Sequence, residues 1–148
     1  MTTHIKAFTY KPKIKAVQAG TCTQTIRLRG IDPVEIGDYI LFHGWSGKPY
    51  KSEWSWRLKV RVTEVWNVFM RTDGIIPPDW PPRLIAWTDP FVNDIAKRDG
   101  IKPPTGEALF QLLNKMYKLE KSADAFQIIR WIVLPAKSAT MLSDFGVE

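Results

Sequence analysis

Thr25, Arg27 and Arg29 occupy alternate positions in the run Gln24-Thr25-Ile26-Arg27-Leu28-Arg29. Alternate side chains of a strand share a face, so this spacing lines up one hydroxyl with two guanidiniums. A guanidinium grips phosphate through planar, paired hydrogen bonds, and a threonine hydroxyl becomes a nucleophile when a base takes its proton. The single cysteine, Cys22, lies just before this row, in the turn Gly20-Thr21-Cys22-Thr23. Beside Arg27 or Arg29 it is either a thiolate nucleophile or a small buried filler.

A second basic row follows in the stretch Glu53 to Val62. There Arg57, Lys59 and Arg61 alternate with Trp54, Trp56, Leu58, Val60 and Val62, which predicts a strand with one apolar and one mostly basic face. Together with Lys13, Arg27 and Arg29, these side chains form the candidate nucleic-acid-binding set, a positive groove for phosphates. Trp54 and Trp56 are assigned to the core. Trp45, Trp66 and Trp80, nearer loops, are the rings placed to stack on an unpaired base. His43 is read as a structural histidine.

The elements carrying these residues are legible from turn chemistry and periodicity. Pro12 suits a first helical turn and Gly20 the position after the last one, so a helix is predicted up to Ala19. It is flanked by a strand over His4 to Tyr10 and another over Thr23 to Leu28. Tyr39 to His43 is a short apolar strand. Residues 73–83 hold four prolines around Trp80 and are expected to be irregular, with a brief strand at Leu84 to Trp87. Asp89 caps one helix that ends at Gly100, Thr105 caps another, and Phe126 to Leu134 is a final strand. This order implies an α+β domain, mostly antiparallel and curled into a barrel with flanking helices, over residues 1–136, with a tail over 137–148.

Bulk composition bounds the function. The chain has 148 residues, 45% apolar and 24% charged, in the ordinary range for one globular domain. Residues 1–61 hold eleven Lys and Arg against four Asp and Glu, while residues 62–148 hold ten against eleven. The one-sided positive potential, +7 against −1, attracts polyanions. One cysteine and two histidines at unrelated spacings offer no structural metal site, and no cofactor motif is present. No apolar run reaches the roughly 20 residues of a membrane span, and the expectation is a cytoplasmic protein without a membrane partner.

In order along the chain, the segment Lys11-Pro12-Lys13 to Gly20, the triplet Thr25-Ile26-Arg27, Gly37-Asp38 before a strand, Leu58 to Val65, the helix ending Asp99-Gly100, and Phe126-Gln127-Ile128-Ile129 resemble the ASCH family of small PUA-like β-barrels. The resemblance implies an RNA-associated protein. Some members resemble amidohydrolases of N4-acetylcytidine, in which a lysine activates a threonine and a carboxylate assists. Laid on this chain, the threonine is Thr25, the carboxylate Asp99, and the lysine position holds Cys22. The leading expectation is therefore binding of RNA or a modified nucleotide in a cleft beside the barrel, with the base near Thr25 and Asp99. The alternatives are an N4-acetylcytidine-type amidohydrolase using Thr25 or Cys22, a ribonuclease, and a protein-interaction module.

Overall fold

One strand of 18 residues, β4 (Trp54–Arg71), organises the molecule. The structure, a computed structural model, describes residues 2–8, 10–78, 83–119 and 125–134. The proposed tail and Trp80 lie outside them. Before β4 come β1 (Thr3–Ala7), α1 (Lys11–Gln18), β2 (Gln24–Leu28) and β3 (Tyr39–Trp45). After it come β5 (Gly74–Ile76), β6 (Ile85–Ala86), α2 (Pro90–Arg98), α3 (Gly106–Tyr117) and β7 (Ala125–Val133). The first half of β4 pairs with β3, the second with β7, and its end folds back onto β5. β2 pairs with β7, and β1 lies parallel to β3, the exception in an otherwise antiparallel sheet. The sheet curls into a half-barrel whose two outer strands, β1 and β2, are not paired with each other. The fold is the α+β class that the element order implies.

Two irregularities in β4 divide the core. Residues Gly44 and Trp45 of β3 face Trp56 and Trp54, which leaves Ser55 unpaired. Val62 and Glu64 face Trp131 and Arg130, which leaves Thr63 unpaired. An extra residue reverses the face on which later side chains emerge. Val60 and Val62 therefore join Phe8, Val17, Ile40, Phe42, Ile129 and Trp131 inside the half-barrel. Val68 and Met70, of the same parity, instead join Ile26, Phe126 and Ile128 under α2 and α3.

The helix ends follow the predicted chemistry. Asp89 accepts from the Phe91 amide at 2.8 Å, and Thr105 from the Ala108 amide at 3.2 Å. Gly20 and Gly100 both take φ near +77°, where a Cβ would be strained, and reverse the chain after α1 and α2. The proline-rich stretch departs from expectation: Gly74–Ile76 forms a hairpin with the end of β4, because the turn after Arg71 carries a glycine at φ +157° against the Ile85 carbonyl. Among the described residues no helix is long and apolar enough to cross a membrane.

Asp38 anchors the edge strand. Its carboxylate accepts from the Thr2 amide at 3.1 Å, the Glu35 amide at 2.9 Å and the His4 ring at 2.9 Å. Burial alone would raise this carboxyl, but the bonds from His4, Glu35 and Thr2 together hold it below the ordinary range. Replacing Asp38 by Ala should lower unfolding free energy by about 1–3 kcal/mol, measured by urea denaturation near neutral pH. Because the folded pKa is depressed, this contribution is full above the unfolded value of about 3.9 and is lost as pH falls through the folded value. The gap between wild type and Asp38→Ala should therefore close in acid.

Candidate functional site

The helix α1 connects β1 to β2, whose edges are not paired with each other (the seam), and it turns Lys13 inward. Lys13 is 5% exposed, and its Nζ lies 3.0 Å from Oδ2 of Asp99, also 5% exposed. Asp99 is the residue that terminates α2, so the Gly100 turn holds its carboxyl against the start of β2. The other oxygen, Oδ1, accepts from the Gln24 amide at 3.2 Å. Gln24 also donates to the Ile95 carbonyl at 3.0 Å and accepts from Arg130 Nε at 3.0 Å. Burial pushes the Asp99 carboxyl above its ordinary range, against the pull of Lys13, Gln24 and Arg27. It is a carboxyl with an increased hold on its proton.

Cys22 sits at the same junction. Its Sγ would lie 3.6 Å from a Cβ on Gly100, an ordinary packing distance, so the two turns touch there. The thiol donates towards the Arg98 carbonyl at 3.4 Å and the Gln24 carbonyl at 3.5 Å. Burial is the largest influence on it and raises its pKa, so the group is held as a neutral thiol. Lys13 brings an amine from α1 to the same junction and acts on the Cys22 thiol as well as on Asp99.

Thr25 and Arg27 occupy the other face of β2. Thr25 is buried and pairs with Ile129, a residue of the barrel interior, whereas Gln24 pairs with Arg130 on the helix side. Among the described residues Thr25 makes no hydrogen bond to Asp99. Arg27 spans the seam: its Nη2 donates to the Ala7 carbonyl of β1 at 2.7 Å, and its Cζ lies 5.0 Å from the Phe8 ring centre. Lys13 Nζ is 5.5 Å from the same ring. The Arg27 Nε is buried without a partner. Burial lowers the pKa of Arg27, while Tyr117 and Asp99 oppose that shift. Lys6 is lowered too, first by burial and then by repulsion from Arg27.

The remaining basic residues lie elsewhere. Arg29 is exposed just past β2, and β7 stands between β2 and the second half of β4. The two basic rows are thus not neighbours. Arg57 and Arg61 are exposed, while Lys59 is only 6% exposed, with its Nζ 4.7 Å from the Tyr39 ring centre. Trp54 leaves the core face because the unpaired Ser55 turns it outward, against His43 and Arg57. A cavity of about 510 Å³ shares no residue with the seam and is lined by Asp73, Trp87, Glu107 and Phe110 among others. Its carboxylates disfavour a polyanion.

Sequence reasoning did not single out Gln24, Phe8 or Lys6. Gln24 carries no periodic signal, and its role exists only because α2 ends where β2 begins. Phe8 and Lys6 are joined to Arg27 by the unpaired edges of a sheet, a property of tertiary structure.

Removing one member of a buried ion pair strands the other, a loss of about 3–5 kcal/mol. Lys13→Met should destabilise by that order in urea denaturation, and Lys13→Met/Asp99→Leu should lose less than the sum of its single variants. Cys22 should alkylate far more slowly in the folded protein at neutral pH than in urea, followed by mass spectrometry.

No family model matches this chain, and no curated protein sequence matches it. Solved structures do. The crystal structure of hypothetical protein PH0355 superposes with a TM-score of 0.52 at 16% identity, covering 90% of this chain and 100% of that one. The ASCH domain from Lactobacillus crispatus JV V101 superposes with a TM-score of 0.51 at 12% identity, covering 88% of this chain and 79% of that one. At these identities the likeness is one of architecture, and the architecture is ASCH-like.

Proposed function

We propose that this chain binds RNA or a modified nucleotide, with a phosphate received at the seam. The observation that carries the reading is the electrostatic imbalance there. Lys13 and Arg27 both act on one buried carboxylate, Asp99, Lys6 is repelled by Arg27, and burial weakens the hold of both Arg27 and Lys6 on their protons. A desolvated surplus of positive charge is relieved by an anion, and a guanidinium with a free Nε can bind one oxygen while its Nη2 keeps the seam. The Phe8 ring supplies a flat apolar wall beside the two cations. The positive first half of the chain favours encounter with polyanions.

A second reading is supported by Lys13. Its amine at 3.0 Å from a carboxyl with raised proton affinity is a pair able to relay a proton, and Thr25 lies on the adjoining strand. In the amidohydrolase of N4-acetylcytidine that the sequence resemblance implies, Thr25 would attack the acyl carbonyl, the Lys13–Asp99 pair would take up the hydroxyl proton on its carboxylate, and that proton would pass to the departing cytidine amine.

Titration with uridine monophosphate and with a short oligouridylate tests the first reading. Arg27→Gln should weaken both by about tenfold or more, since a charge-assisted bond is lost. The log–log salt slope for the oligonucleotide should flatten by about 0.7 for each phosphate contact removed. Unchanged affinity and slope would refute the seam as the phosphate site. The second reading is checked with N4-acetylcytidine: turnover abolished by both Thr25→Val and Lys13→Met would make the protein an enzyme, and no turnover leaves binding alone.

A further inference from the structure

The outer end of the β3–β4 hairpin carries a group of rings that neither core uses. Ser55, skipped in the pairing, turns Trp54 onto the outer face, where its ring lies 3.8 Å from His43 and nearly parallel, at 14°. Arg57 Cζ is 4.9 Å from the Trp54 ring centre. Trp45 meets His43 edge-on at 4.9 Å. Beyond Trp45 lies Tyr50, its ring centre 5.3 Å away and tilted by 50°. Tyr50 is 88% exposed and has φ +64°, a backbone state that a bulky side chain rarely adopts.

The loop that presents Tyr50 is built rather than slack. Ser52 Oγ donates to the Lys48 carbonyl at 2.8 Å and accepts from the Gly47 amide at 3.0 Å. The Ser46 amide bonds the Glu53 carbonyl at 2.8 Å and closes the hairpin. The structure therefore holds two outward rings, Trp45 and Tyr50, on a base formed by His43, Trp54 and Arg57. Residues 43–61 carry five Lys and Arg (48, 51, 57, 59 and 61) against the single acid Glu53, so the occupant that suits this surface is flat and anionic.

This surface also adjoins the seam. Ala7 of β1 pairs with His43, the Phe8 amide donates to the His43 carbonyl at 2.9 Å, and Ala7 is the residue whose carbonyl Arg27 binds. Arg27, β1 and His43 thus form one strip leading to Trp45 and Tyr50.

We propose that Trp45 and Tyr50 form a stacking shelf for an unpaired base of a single-stranded nucleic acid whose phosphate lies at Arg27. The ligand is then an oligonucleotide and not a free nucleotide. The inference rests on the binding reading above and names its ligand class. Stacking tolerates every base and is worth a large factor per ring, so the shelf supplies affinity with little sequence preference.

The test measures binding of a short oligouridylate and of uridine monophosphate to wild type and to Tyr50→Ala, Tyr50→Phe and Trp45→Ala. The oligonucleotide should bind more tightly than the monophosphate. Tyr50→Ala and Trp45→Ala should each weaken it by about tenfold or more while leaving the monophosphate unchanged, and Tyr50→Phe should retain wild-type affinity. Tyr50 is almost wholly exposed, so its removal tests the shelf without disturbing the fold. Wild-type oligonucleotide affinity in Tyr50→Ala overturns the shelf, assigns the rings to another kind of partner, and leaves the seam reading intact. Loss in Tyr50→Ala with none in Arg27→Gln keeps the shelf and removes the seam. If wild type binds neither probe, both proposals fall.

Discussion

The sheet is not closed between β1 and β2, and side chains must do there what a strand ladder does elsewhere. Arg27 reaches from β2 to the Ala7 carbonyl, and α1, the connection between the two strands, turns Lys13 inward to Asp99. These contacts join β1, α1, β2 and the end of α2, elements that share few backbone bonds. A barrel closed by backbone pairing would have left no polar interior at this point. An apolar closure of similar volume would hold the fold at least as well, because a buried ion pair recovers little beyond its own desolvation. Stability alone therefore does not call for two cations and a carboxylate at the seam.

The long strand β4 shows where local pattern succeeds and where it stops. Alternation from Trp54 to Val62 identifies a strand with one apolar face, and apolar Trp66, Val68 and Met70 continue the same parity. Yet Val62 lies inside the half-barrel and Val68 under the helices, because Thr63 is an added residue between them. An unbroken alternation could not signal that reversal. Nor could it place Trp54 with His43, since Ser55 resembles any exposed strand position until the register with Gly44 and Trp45 is known. Capping residues, by contrast, act within a few positions of themselves. Asp89, Thr105, Gly20 and Gly100 were legible for that reason.

The candidate site divides along the same line. The charged residues Lys13, Arg27 and Asp99 are recognisable by type, and the order of motifs carried the ASCH-like architecture. Their mutual geometry was not legible. Thr25 and Gln24 are adjacent in sequence, but only Gln24 faces Asp99, because neighbours on a strand emerge on opposite faces. Lys13 stands nine positions before Cys22, and only the turn at Gly20 brings both to the end of α2.

The charge asymmetry of the chain takes on spatial meaning in the fold. The positive first 61 residues build β1, α1, β2, β3 and the start of β4, which border both the seam and the aromatic hairpin. The second part sends one buried carboxylate, Asp99, into that region, and it is occupied by Lys13 and Gln24. The acids Asp73 and Glu107 instead line the separate cavity beside Trp87 and Phe110. Among the described residues, a polyanion approaching the seam would thus meet Arg27 and Lys6 with no exposed cluster of acids beside them. Asp32, whose side chain is 78% exposed, is the acid nearest in influence to Lys6, and it acts through solvent where salt screens it. Moderate salt should then weaken that competing acid along with the long-range attraction, while the partly buried Arg27 keeps most of its short-range pull on a bound phosphate.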